Sequence, residues 1–121
     1  MAQGPDLPAF DVVEFNELSD TIGEDGVTEM VRIFEAETRL RLRRLRAGGQ
    51  DPATLARELH TLKGAAATVA APRLSALGLM LERAARQGAA PTTDDFDAID
   101  DALGAFLAEL RQRERGLVPV G

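Results

Sequence analysis

The chain reads as an all-α protein, an antiparallel four-helix bundle with a short additional N-terminal helix. Three observations predict this. Five Phe with no Trp or Tyr leave Ala and Leu to build the core, a balance that suits close-packed helices better than sheets. Apolar residues recur at helical spacing along successive segments. Glycines and prolines punctuate the chain where one such segment gives way to the next.

Residues 1 to 9, with Pro5 and Pro8, read as a flexible leader. Phe10 to Ile22 is predicted as the short helix, burying Val13, Leu18 and Ile22, and Gly23-Glu24-Asp25-Gly26 breaks it. A first long helix is expected from Val27 to about Ala47, with Val27, Met30, Val31, Phe34, Leu42 and Leu45 in phase. Its last turns hold Arg39, Arg41, Arg43, Arg44 and Arg46, cations that suit the negative end of a helix and are expected to be solvated. Asp51-Pro52, an N-cap acid followed by an imino acid at the first position, starts the next helix, which should run to Ala70. Ala71-Pro72 begins another, to about Gln87, with Leu74, Leu77, Leu81 and Ala84 or Ala85 inward and Gly88 closing it. So short a link folds the two into a hairpin. Thr92 or Thr93 caps the last helix, with Phe96, Ile99, Leu103, Phe106, Leu107 and Leu110 at core spacing. The bundle is expected to span residues 10 to 114, and residues 115 to 121 to be a flexible tail.

Composition excludes several classes of function. Without cysteine and with one histidine, neither a disulfide framework nor a zinc site is expected. The aspartates of the last helix lack the glycine turn and terminal bidentate acid of a calcium loop, so no metal site is expected on the chain. Twenty acidic against 14 basic residues, a net charge of −6, argue against nucleic-acid binding. No segment approaches the roughly 20 apolar residues of a membrane span, and the start lacks the form of a signal peptide, so a cytoplasmic protein is expected. No nucleotide-binding glycine loop is present, which leaves another protein as the natural partner.

That single histidine, His60, lies in Glu58-Leu59-His60-Thr61-Leu62-Lys63-Gly64. At about 100° per residue, Leu55, Leu59, Leu62, Ala66 and Val69 form one stripe and His60 faces away from it. Within about 60° of the imidazole on the same wheel lie Ala56, Arg57, Lys63, Gly64 and Ala67, a clearing of small side chains rimmed by cations. Mid-helix glycine costs about 1 kcal/mol relative to alanine, so Gly64 needs a reason. Either it lets a second helix approach, or it clears a path to the ring; its position beside His60 favours the path. A neutral imidazole is a competent nucleophile near neutral pH, and a neighbouring ammonium favours the uncharged form. Attack on phosphorus would be assisted by Lys63 and Arg57, since phosphoryl transfer depends on positioning and nearby positive charge.

The run His60-Thr61-Leu62-Lys63-Gly64, the small residues after it, and Leu74, Leu77 and Leu81-Glu82 resemble the histidine-containing phosphotransfer (HPt) domains of bacterial multistep phosphorelays. The region of Phe34, the helix end Leu45-Arg46-Ala47-Gly48 and the start at Asp51 extend the likeness to roughly residues 10 to 112. The resemblance implies that His60 is the phosphoacceptor, that Lys63 assists the phosphoryl oxygens and that Gly64 keeps the imidazole accessible. It implies a phosphocarrier without kinase or ATP-binding activity, taking its phosphoryl group from the aspartyl phosphate of a receiver domain and passing it to another receiver. Receivers or a hybrid histidine kinase are then the partners, meeting Ala56, Arg57 and Ala67. Magnesium would belong to the receiver, with no cofactor on this chain, and a monomer is expected. One departure stands out: Ala70 replaces the glycine that such domains commonly carry ten residues after the histidine. A bundle that binds a receiver or kinase merely to block it is the alternative reading. A detached phosphoacceptor module of a chemotaxis-type kinase is a third.

Overall fold

The computed structural model describes residues 6–114 and contains, among them, five helices and no strand. They are α1 (Val12–Ile22), α2 (Glu24–Ala47), α3 (Pro52–Thr68), α4 (Pro72–Arg86) and α5 (Thr93–Glu114). Helix α3 packs most extensively on α4, α4 also meets α5, and α2 touches both α3 and α5; α1 lies against α2. The expected tail, residues 115 to 121, lies outside the described residues, as do residues 1 to 5.

Helix starts follow the local chemistry. The Asp51 carboxylate accepts from the backbone N–H of Thr54 at 2.7 Å, with Pro52 in the first turn. At α5 the choice falls on Thr92, whose hydroxyl accepts from the Asp95 N–H at 3.2 Å while Asp95 accepts from the Thr92 N–H at 2.8 Å, a reciprocal capping box. The break before α2 is one residue: Gly23, at φ +86°, turns the chain, and Glu24, Asp25 and Gly26 already belong to the helix.

Helices α3 and α4 end in the same motif with different residues. Gly88 follows α4 at φ +93°, with the Ala89 N–H bonded to the Ala84 carbonyl. After α3 the left-handed position belongs to Ala70, at φ +66°, with the Ala71 N–H on the Ala66 carbonyl and the Ala70 N–H on that of Ala67. This is a Schellman cap, where glycine is usual. Ala70 is also buried, so its methyl group adds strain at a tightly packed turn.

The core holds the predicted stripes of α2 to α5, including Leu59, Leu62, Leu74, Ile99, Leu103 and Phe106. Helix α1 differs. Val13 and Ile22 are exposed, at 64 % and 40 %, and the buried face is Phe15 and Ser19, with Leu18 packed alongside. Aromatic packing decides it: Phe10 meets Phe15 and Phe106 edge-on at 5.2 and 5.8 Å, and Phe34 meets Phe106 at 5.9 Å. The expected leader also shortens. The Arg73 guanidinium donates to the Leu7 carbonyl at 2.7 Å, its backbone N–H to that of Pro8 at 3.1 Å, and Ala9 is buried.

Nor are the α2 arginines simply solvated. Arg41 and Arg44 donate to Glu58 of α3 at 2.9 and 3.1 Å. Arg46 reaches Asp97 and Asp100 of α5 at 2.9 and 2.6 Å and covers the Phe96 ring. These cations tie α2 to its neighbours.

Candidate functional site

Helix α3 presents His60 on its outer face, with the imidazole 60 % exposed. Phase alone places it there, because Leu55, Leu59, Leu62 and Ala66 occupy the opposite, buried stripe. The ring is nevertheless held. Its Nδ1 lies 3.2 and 3.3 Å from the two carboxylate oxygens of Glu82 on α4, a side chain only 7 % exposed. Arg86, one turn further along α4, donates to the same carboxylate at 2.7 Å, and the Lys63 ammonium stands 3.4 Å from it.

Glu82 is thus a buried acid with three nitrogen partners. The hydrogen bonds from Arg86, first, and then from His60, with the nearby charge of Lys63, outweigh its burial and hold its pKa down to about 2. At neutral pH it is a carboxylate and can only accept. Nδ1 must then carry the hydrogen, which leaves the lone pair of the neutral ring on Nε2. A neutral ring in that tautomer has its free lone pair on the nitrogen away from Glu82.

Gly64 and Gly78 divide the two explanations for a helical glycine. A methyl group at Gly64 would meet nothing within 4 Å, so no second helix approaches there and the packing explanation fails. At Gly78 a methyl would lie 3.2 Å from the Cα, Cβ and backbone N of Lys63. That is the close helix contact, and it falls on α4. The Ser75 hydroxyl, donating to the Lys63 carbonyl at 2.9 Å, secures the same junction.

Of the surrounding residues expected to meet a partner, Arg57 and Ala67 are exposed, and the Arg57 guanidinium leans on the Thr54 hydroxyl at 3.4 Å. Ala56 is not available: it is 2 % exposed and part of the core. A single-helix wheel could not anticipate this. Glu82 and Arg86 were not singled out from the sequence for a role; the only local sign was an acid and a base four residues apart on one helix. Among the described residues, no group of three or more His, Asp and Glu side chains is placed to hold a metal ion, and no helix is long and apolar enough to cross a membrane.

Fold and site together define an all-helical domain with one exposed histidine held by a buried carboxylate. The family model of the Hpt domain matches residues 29–113. The chain belongs to that family, and so to the histidine phosphotransfer components of two-component phosphorelays. Searches of the curated proteins and of the solved structures gave no match.

Proposed function

We propose that His60 accepts a phosphoryl group from the aspartyl phosphate of a receiver domain and passes it to a second receiver, the chain acting as a stoichiometric carrier built as an antiparallel four-helix bundle with α1 over one end. The observation that carries this reading is an imidazole 60 % exposed whose Nδ1 lies on the buried Glu82 carboxylate. The Nε2 lone pair forms the N–P bond as the P–O bond to the receiver's aspartate breaks, and the carboxylate departs with that electron pair. No proton has to leave Nε2. The ring becomes positively charged as the bond forms, and Glu82 faces the N–H where that charge is shared. The reverse step returns the electron pair to the ring when a second receiver's carboxylate attacks.

Lys63 supplies the counter-charge for the phosphoryl oxygens. Its 3.4 Å separation from Glu82 exceeds a charge-assisted hydrogen bond, whereas Arg86 at 2.7 Å meets that range. Glu82 therefore keeps its strongest partner when Lys63 swings to the incoming group. Gly64 leaves the approach clear, and magnesium is assigned to the receiver.

The test is to mix the chain with a phosphorylated receiver and follow labelled phosphate. Wild type should acquire acid-labile, base-stable label, and His60→Gln none. Binding without labelling would overturn phosphotransfer in favour of a blocking role. Glu82 is a positioning residue in this scheme: in Glu82→Ala the ¹⁵N shifts of His60 should report mixed tautomers, where wild type shows Nδ1–H alone.

A further inference from the structure

Beside the histidine, an apolar groove of about 300 Å³ opens between the chain's N-terminal segment and the α3–α4 hairpin. Its walls include Leu7 from the segment, Lys63 and Ala67 from α3, and Pro72, Ala76 and Leu79 from α4. Leu7 is 43 % exposed, yet its backbone is fixed, because the Arg73 guanidinium holds the Leu7 carbonyl and the Arg73 N–H holds that of Pro8. A third tie runs from the Asp11 N–H to the Ala70 carbonyl at 3.0 Å. The segment is a built wall. It lies outside residues 29–113, the part matched to the family.

We infer that this groove is a docking subsite for the receiver domain, taking a large apolar side chain from the receiver's surface and contributing to the choice among receivers. The inference rests on the phosphotransfer reading above. Continuity identifies the occupant. Lys63 lines the groove and also stands against the carboxylate that holds His60. Ala67 lies two turns from His60 on the same stripe, about 10 Å along the helix axis. A standard protein interface covers about 800 Å² on each partner, a disc of roughly 16 Å radius. Any receiver that brings its aspartyl phosphate onto His60 therefore spans the groove. What it finds there is an apolar cleft with one cation, Lys63, on its histidine side and one acid, Glu14, on its rim. Such lining rewards an apolar side chain over a charged one.

Two variants test the subsite from opposite walls. Leu7→Asp changes a side chain while its carbonyl stays on Arg73, and Ala76→Glu places a charge from α4. Each should raise the concentration of phosphorylated receiver that gives half the maximal single-turnover transfer rate roughly tenfold, about 1.4 kcal/mol, with the maximal rate near wild type. Phosphoramidate, a small donor with no docking surface, should label His60 equally in all three chains. Wild type left unlabelled by both donors would sink the phosphotransfer reading itself. Wild type labelled by both, with variants whose half-saturating receiver concentration is unchanged, would sink the groove alone. A wild-type dimer in sedimentation that Leu7→Asp dissolves, with transfer unaltered, would also overturn the inference by making the groove a contact between copies of this chain.

Discussion

Replacing each of two glycines by alanine should move stability in opposite directions, although both lie inside helices. At Gly64 the added methyl has open space around it, so the variant gains the difference in helix propensity, about 0.5–1 kcal/mol. At Gly78 the same gain is opposed by contacts of 3.2 Å with three Lys63 atoms, two of them backbone. Backbone cannot rotate aside, so α3 and α4 must separate by a few tenths of an ångström. Overpacking of this kind costs about 1–3 kcal/mol, leaving a net loss of up to about 2.5 kcal/mol. For a domain of this size 1 kcal/mol corresponds to about 4 °C in Tm. Circular-dichroism melts should therefore place Gly64→Ala about 2–4 °C above wild type and Gly78→Ala below it by up to about 10 °C. A Gly64→Ala variant that melts lower than wild type would refute the open space beside His60. Function separates from stability at the same position: Gly64→Gln should keep its helicity yet slow transfer from a receiver, because a long side chain one turn on from His60 leans back over the ring.

Three further outcomes follow from the geometry. Lys63→Ala should slow phosphotransfer at least tenfold, read as the rate of label transfer, while urea unfolding shifts by less than about 1 kcal/mol, since only partly exposed contacts are lost. Glu82 titrates far below the ordinary carboxylate value of 4.5, near 2, so its contribution is fully present above about pH 4.5 and disappears as pH falls toward 2. The shift caps that contribution at about 3 kcal/mol; with exposed partners on both sides, about 1–2 kcal/mol of the stability difference between wild type and Glu82→Gln should vanish between pH 6 and pH 3 in denaturant titrations. Ala70→Gly should stabilise by about 0.5–1 kcal/mol, because glycine removes the methyl penalty at φ +66°, and a melt unchanged or lowered would contradict the cap.

What the sequence made legible are the properties of one helix at a time. The outward phase of His60, the capping by Asp51 and the buried stripes of α2 to α5 each depend on spacing within a segment, and each stands in the structure. Two-body properties were not legible. Ala56 looked free on its own helix and is buried in the core. In α1 two apolar stripes compete within eleven residues, and the choice of Phe15 over Val13 and Ile22 was made by Phe10 and Phe106 from outside the helix. The α2 arginines resembled a solvated end until Glu58, Asp97 and Asp100 were brought to them.

Glu82 is the sharpest case, and Gly78 explains why it stands where it does. Along this hairpin, numbering falls on α3 as it rises on α4: Ser75 and Gly78 lie at Lys63, and Glu82 lies at His60. Gly78 and Glu82 are four residues apart, and Lys63 and His60 are three apart, so both pairs occupy one face of each helix, a turn removed. The close approach at Gly78 sets the depth and register with which α4 meets α3, and Glu82 inherits its distance to Nδ1 from that contact. An acid in α4 without the glycine one turn before it would stand too far out to be both buried and bonded to the ring. Gly78→Ala should therefore loosen the tautomer of His60 as well as lower the melting temperature. A Gly78→Ala protein that melts early but keeps a pure Nδ1–H signal would show that the orientation of the imidazole is set by the Glu82–Arg86 pair alone and not by the packing of the hairpin.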